Sequence, residues 1–217
     1  VLRILLLRHA QSTWNAQGRW QGRADPTLSP DGRRSAEAVA PYYEGVSAIY
    51  SSPLLRSRET AEIIGKVLGI EHLLTTEDLS ERDIGEWTGL TREEVEASWP
   101  GYLKNHRWPP SAETTDSVRQ RAHRSLQQIA KQATNAGSDE STPAADSPAP
   151  EGNSAKVLVV THGGLITTIE QSLGQPWRRI VNLSGRQILG DGSAWELGKI
   201  LERPAELSRS VYETDSP

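Results

Sequence analysis

Two histidines and two arginines in this 217-residue chain occupy matching places. Arg8 and His9 end the apolar run "RILLLR", Arg56 follows "VSAIYSS", and His162 ends "KVLVVTH". The interior of an apolar strand has no use for adjacent arginine and histidine, because burying an unpaired charge is costly. A strand that stops at a site uses both. A guanidinium presents a planar fork of N–H groups to an oxyanion, and a neutral imidazole is a nucleophile. Brought together, the four side chains make an anion pocket with a nucleophile inside it.

The elements that must position them follow from the same runs. Residues 3–8, 46–52 and 156–162 are short, aliphatic and apolar on both faces, as buried parallel strands are. Helical patterns alternate with them. "SPDGRRSAEAVAPYY" offers Ser29 as N-cap and Pro30 at the first helical position, with Pro41 limiting its far end. "SPLLRSRETAEIIGKVLG" repeats the device with Ser52 and Pro53, and spaces Leu55, Ile63, Val67 and Leu68 along one face. "TREEVEASW" is a short helix, and "TTDSVRQRAHRSLQQIAKQA" puts Val118, Ala122, Leu126 and Ile129 on one stripe. "GGLITTIEQSLG" follows the third strand at once.

This alternation predicts an α/β fold: a doubly wound, mostly parallel central sheet with helices on both faces. Ligands bind beyond the carboxyl ends of such strands. That rule makes neighbours of Arg8, His9, Arg56 and His162. His72, His106 and His123 lack the placement and read as solvated or structural, as does Arg58.

Composition narrows the alternatives. The length suits one α/β domain, and such a chain buries roughly 70% of its unfolded surface. With no Cys there is no disulfide, thiolate metal site or cysteine nucleophile, which fits a cytoplasmic protein. Phe and Met are absent too, leaving Leu, Ile, Val and Trp to fill the core. A formal charge of -4 supplies no global basic field for nucleic acid. No run reaches the ~18 apolar residues of a membrane span. "VLRILLL" meets Arg8 and His9 too soon for a signal peptide; a residue or segment before Val1 is left open. One domain is expected over 1–203. It carries a flexible Ser/Pro/Ala/Gly-rich insertion at 134–155, and a poorly ordered C-terminal tail spans 204–217.

At this point the chain resembles the histidine phosphatase superfamily, the phosphoglycerate mutase-like family, over roughly residues 3 to 200 apart from the insertion. The family's leading motif is Arg-His-Gly, then Glu or Gln, then Thr or Ser, with an Asn downstream. It stands here as "RHAQSTWN", with Ala10 in place of the glycine. "GRWQGRADPTLSPDGRRSAE", "SSPLLRSRETA", "LSERDIGEWTGL" and "VVTHGGL" look like the later signatures, in the family's order.

The resemblance implies a phosphomonoester hydrolase in which His9 attacks phosphorus and becomes a phosphohistidine that water hydrolyses. The guanidinium groups would keep the imidazole neutral, since like charges disfavour each other. Arg8, Arg56 and His162 would hold the nonbridging oxygens, with backbone N–H groups at Gly163 and Gly164 adding to them. Glu81 matches the family's general acid and base. Asn15 and Gln21 would bind the phosphoryl group or substrate, Gly22 would allow the turn there, and Ser12 would make a weaker contact. No cofactor or metal is called for, because side chains neutralise the charge.

Only about two dozen residues separate Trp87 from Glu113, short for the lid that returns phosphate to a sugar acid in mutases. Hydrolysis of a small phosphorylated metabolite, a sugar phosphate or phosphoglycerate derivative, is therefore favoured. A phosphoglycerate mutase and a non-catalytic phosphate-binding protein are the alternatives. Trp14, Trp20, Trp99 and Trp108 are candidates for an entrance that stacks on a sugar or nucleoside. The polar insertion with "THGGLI" is similar to actinobacterial glucosyl-3-phosphoglycerate phosphatases. Broad-specificity phosphomonoesterases and sugar-phosphate phosphatases fit equally. Family membership also leaves a homodimer open.

Overall fold

A computed structural model describes residues 1–71, 73–136 and 155–207. Its centre is a six-stranded sheet in the order β3-β2-β4-β1-β5-β6. The strands are β1 (Leu2–Arg8), β2 (Ala48–Ser51), β3 (Leu73–Thr75), β4 (Lys156–Thr161), β5 (Gly185–Gly190) and β6 (Trp195–Leu201). The pairings β1–β4, β4–β2 and β2–β3 are parallel, whereas β5 runs antiparallel to β1 and β6 antiparallel to β5. The sheet is thus mostly parallel, as expected, with an antiparallel hairpin at one edge.

Apolar residues on both faces of β1 serve two cores. Leu2, Ile4 and Leu6 join Val157 and Val159 beneath α5 (Thr115–Ala136) and α6 (Gly163–Ser172). Leu5 and Leu7 join Leu158 and Val160 beneath α2 (Pro30–Val39) and α3 (Leu55–Leu68). The side-chain period of two sends alternate residues to opposite helical layers, so neither face could be polar. The two short helices are α1 (Thr13–Ala16) and α4 (Arg92–Ser98). A third, smaller cluster of Ile84, Trp87 and Val95 gathers Trp20 and Trp99 around it. Among the described residues no helix is long and apolar enough to cross a membrane.

Several local expectations hold. Ser29 caps α2 through Gly32 N–H with Pro30 in the first turn, and Thr91 caps α4 in a capping box. Val118, Ala122, Leu126 and Ile129 are all fully buried on α5. Others need correction. Ser52 does not cap α3; the cap position is Leu54, with no side-chain bond. The buried face of α3 is Arg56, Ser57, Thr60, Ala61, Ile64 and Gly65, while Val67 is 45% exposed. The first turns of this face, Arg56, Ser57 and Thr60, are polar because they front a site, whereas Ala61 and Ile64 beyond them join the second core, with Ile63 and Leu68 packed beside it.

Of the 134–155 insertion, Thr134–Ala136 complete α5 and Ala155 precedes β4, and the rest lies outside the described residues. So does His72. The tail expected to be poorly ordered starts with a 3-10 turn, Ala205–Leu207, and Leu207 packs on the second core; residues 208–217 lie outside the described set.

Candidate active site

The parallel register aligns Arg8 of β1 with Thr161 of β4, so the strands end together. This is the switch point of the sheet: the connection from β1 runs through the α2 layer and that from β4 through α6. His9 and His162 are the next residues of the two strands, and their rings meet edge to face with centroids 5.2 Å apart. Arg56 reaches the same point from the first turn of α3. A cavity opens there, lined by Arg8, His9, Asn15, Arg19, Trp20, Gln21, Gly22, Arg56, Glu81, Arg82, Ile84, Trp108 and Gly164.

His9 has a defined tautomer. Its Nδ1 lies 2.7 Å from the Ala10 carbonyl, which can only accept, so Nδ1 carries the proton. Nε2 therefore bears the lone pair, and it accepts from Arg56 Nε at 3.2 Å. Burial, then the charges of Arg56 and Arg8, hold the imidazole well below its usual range. The expected direction is met, with burial contributing more than either guanidinium alone. Ala10 does not take a positive φ, and its methyl is fully buried in the second core. Its N–H donates to Thr60 Oγ1 at 3.0 Å. Alanine in place of the usual glycine thus leaves the His9 backbone undistorted.

Arg56 is 1% exposed, and its other two nitrogens donate to Ala24 O at 2.7 Å and Gly22 O at 2.9 Å. Burial pulls it down to about 10, still cationic at neutral pH. Gly22 has a φ of +49°, and a Cβ there would sit 2.6 Å from Ile84. Arg8 donates to Ile180 O at 2.6 Å.

Glu81 faces these cations. Its Oε2 accepts from Gly164 N–H at 3.0 Å and its Oε1 from Arg82 N–H at 2.8 Å. A Cβ on Gly164 would come within 2.4 Å of Oε1, so the carboxylate holds this position only beside a glycine and would have to shift beside any larger residue. The Gly164 N–H, expected to face phosphate, is occupied by this carboxylate.

Three expected site residues stand behind the cavity wall and do not line it. His162 is fully buried and does not line the cavity; its Nε2 bonds Ser52 Oγ at 2.8 Å. Burial and Arg56 keep it well below the usual histidine range. Ser12 caps α1, accepting from Asn15 N–H and donating to Gln21 Oε1 at 2.7 Å, so it aligns two lining residues from behind. Gly163 packs against Arg8. Of the four tryptophans, Trp20 and Trp108 line the cavity, Trp14 stands against Gly89, and Trp99 belongs to the third cluster.

Sequence reasoning missed Ser52, assigned as a cap, and Asn182, which donates to His9 O at 2.8 Å. It also missed Arg19 and Arg82 in the wall, the latter stacked over Trp108 at 4.9 Å. "ERDIGEW" carries the signal for Arg82, next to Glu81, whereas nothing local marks Asn182.

The family model for the histidine phosphatase superfamily (branch 1) matches residues 4–137. The chain is 34% identical to a glucosyl-3-phosphoglycerate phosphatase of Mycolicibacterium vanbaalenii, over 80% of this chain and 74% of that one. It is 31% identical to a metal-independent phosphoserine phosphatase of Arabidopsis thaliana, over 78% of this chain and 67% of the other. A solved mycobacterial glucosyl-3-phosphoglycerate phosphatase in complex with VO3 superposes with a TM-score of 0.74 at 27% identity, covering 91% and 97% of the two chains. With two imidazoles and two guanidinium groups meeting at the switch point of such a fold, this chain belongs to the histidine phosphatase superfamily.

Proposed function

We propose that the chain hydrolyses the phosphomonoester of a small metabolite through a phosphohistidine on His9 Nε2. The observation that carries this is the tautomer: Nδ1 is tied to Ala10, and the bare Nε2 meets a guanidinium in a cavity that also holds a carboxylate. The incoming phosphoryl oxygens take over the Arg56 N–H groups and release the Nε2 lone pair. Nε2 then attacks phosphorus in line, the bond to the ester oxygen breaks, and protonated Glu81 gives that oxygen its proton. Arg8 and Arg56 hold the charge that develops on the equatorial oxygens. In the second half Glu81 takes a proton from water as its oxygen attacks phosphorus. The P–N bond breaks, and phosphate leaves with His9 neutral again.

Gln21, whose carbonyl is engaged by Ser12, offers its amide N–H groups to the phosphoryl oxygens, and Asn15 stands beside it. His162 acts through His9, held in place by Ser52. The cavity is about 90 Å³, against ~300–1,000 Å³ for drug-sized sites. It takes the phosphoryl group and leaves the organic body at the mouth, among Arg19, Trp20, Arg82 and Trp108. Cations beside aromatic rings suit a phosphorylated sugar acid or amino acid. Charged esters of this kind do not cross membranes unaided, so the activity we propose is a cytoplasmic one, where such metabolites are made.

The test is release of inorganic phosphate from a panel holding phosphoserine, glucosyl-3-phosphoglycerate, 3-phosphoglycerate, a hexose phosphate and p-nitrophenyl phosphate, with and without EDTA. Hydrolysis of at least one natural ester, unchanged by EDTA, is expected. No release from any of them, or activity lost to EDTA and restored by metal, contradicts the reading.

A further inference from the structure

Glu81 lies on a stretch without a strand or long helix, between the 3-10 turns Glu77–Leu79 and Gly85–Trp87. No ladder fixes such a segment, yet its carbonyls are captured almost one by one. Arg121 Nη1 donates to Asp78 O at 3.1 Å and to Ser80 O. Thr161 Oγ1 donates to Leu79 O at 2.7 Å, Arg23 Nε to Glu81 O at 2.8 Å, and Glu113 N–H to Asp83 O at 2.8 Å.

Arg121 is the centre of this clasp. While Nη1 holds the backbone on both sides of Leu79, Nε and Nη2 fork onto the Glu113 carboxylate at 2.8 and 2.9 Å. Their side chains are only 6% and 13% exposed. The Glu113 carbonyl in turn accepts from Arg82 Nη1 at 2.6 Å, one residue past the acid. Burial pushes the Glu113 carboxyl up, but the Arg121 fork outweighs it and leaves the group at about 2. Each charge of the pair thus cancels the other, so Arg121 and Glu113 fix the loop without adding a net charge of their own near Glu81. Neither residue lines the cavity.

We propose that Arg121, locked by Glu113, is a positioning residue that sets the reach of Glu81 toward the leaving oxygen. This rests on the phosphohistidine reading above. Proton transfer needs the acid within hydrogen-bond reach of the ester oxygen. A displacement of ~1 Å costs about 100-fold. The loss falls on esters whose alkoxide needs a proton, while nitrophenolate departs without one.

The experiment compares phosphoenzyme formation, by rapid quench, from an alkyl phosphate and from p-nitrophenyl phosphate. Arg121→Gln alone leaves the mostly buried Glu113 carboxylate with only Arg23, at 3.7 Å, as a charge partner, which endangers folding. The variants are therefore Arg121→Lys and the double replacement Arg121→Met with Glu113→Leu. In the double variant the alkyl rate is expected to fall about 10–100-fold. The nitrophenyl rate and the KM of both esters should stay near the parent values, and Arg121→Lys should fall between. Equal loss with both esters, a change confined to KM, or no loss in Arg121→Lys overturns the proposal, and Arg121→Lys decides it if the double variant does not fold. If the parent chain itself forms no phosphohistidine, the reading of the site fails instead.

Discussion

The two sides of the cavity are built by different means. On the side of the proposed nucleophile, His9 and His162 extend adjacent parallel strands whose register is fixed by the backbone, and Arg56 sits in the first turn of α3, the helix that follows β2. On the acid side, Glu81 depends on side chains reaching from β4, α5 and the segment before α2. One side inherits its geometry from the sheet. The other has it assembled from long-range contacts, each of which a single substitution can release. Strand ends thus give the proposed nucleophile a fixed address, whereas the proposed general acid rides on a loop whose accuracy depends on distant residues.

Replacing Arg56 by Met strikes the sheet-built side and is expected to cause the largest loss, on the order of 10²–10³-fold in kcat. It also removes one of the charges that hold His9 below its usual range. His9 then keeps a proton to higher pH, so the acid limb of kcat/KM moves upward toward neutrality. A pH–rate profile with an unmoved limb would show that Arg56 does not set the protonation of His9.

Gly164→Ala strikes the acid side alone. The added methyl collides with Glu81 Oε1, so kcat toward an alkyl phosphate is expected to drop about 10–100-fold. Inhibition by inorganic phosphate should change much less, because the cations stay in place. If the inhibition constant rises as steeply as kcat falls, the two sides are not separable. Ala10→Gly is the mildest change. Exposure to urea should show about 0.5–1 kcal/mol less stability, from added unfolded-state freedom and a lost buried methyl. The kcat/KM should stay near the parent value; a large rate increase would mean that Ala10 strains the nucleophile.

The same division explains what could be read in the sequence. Continuous apolar runs marked β1, β2 and β4, and the polar residues at or just beyond their ends marked Arg8, His9, Arg56 and His162. The hairpin β5–β6 escaped because Arg186 and Gln187 interrupt one strand, while Glu196 and Lys199 lie on a partly exposed partner. β3 has three residues, too few for a period. The predicted stripe on α3 holds only in part: Ile63 and Leu68 pack on the second core, but Val67 is exposed, and Arg56, Ser57 and Thr60 face inward where apolar pattern has nothing to find. Ser52 fits the grammar of a helix cap, yet the nearness of His162 redirects its hydroxyl. Arg121, which looks like one more charge on a helix, is 41 residues from the Ser80 carbonyl it holds. No local rule recovers a contact of that span.

The proposed hydrolysis turns on a phosphoryl group carried by one nitrogen of His9. The direct measurement is rapid acid-free quench of the parent chain during turnover, followed by ³¹P NMR and peptide mapping, with His9→Ala as the control. Alkali-stable, acid-labile phosphate on the His9 peptide, attached at Nε2 and absent from the control, is the predicted result. Hydrolysis without any such adduct, phosphate on another residue, or attachment at Nδ1 would contradict it.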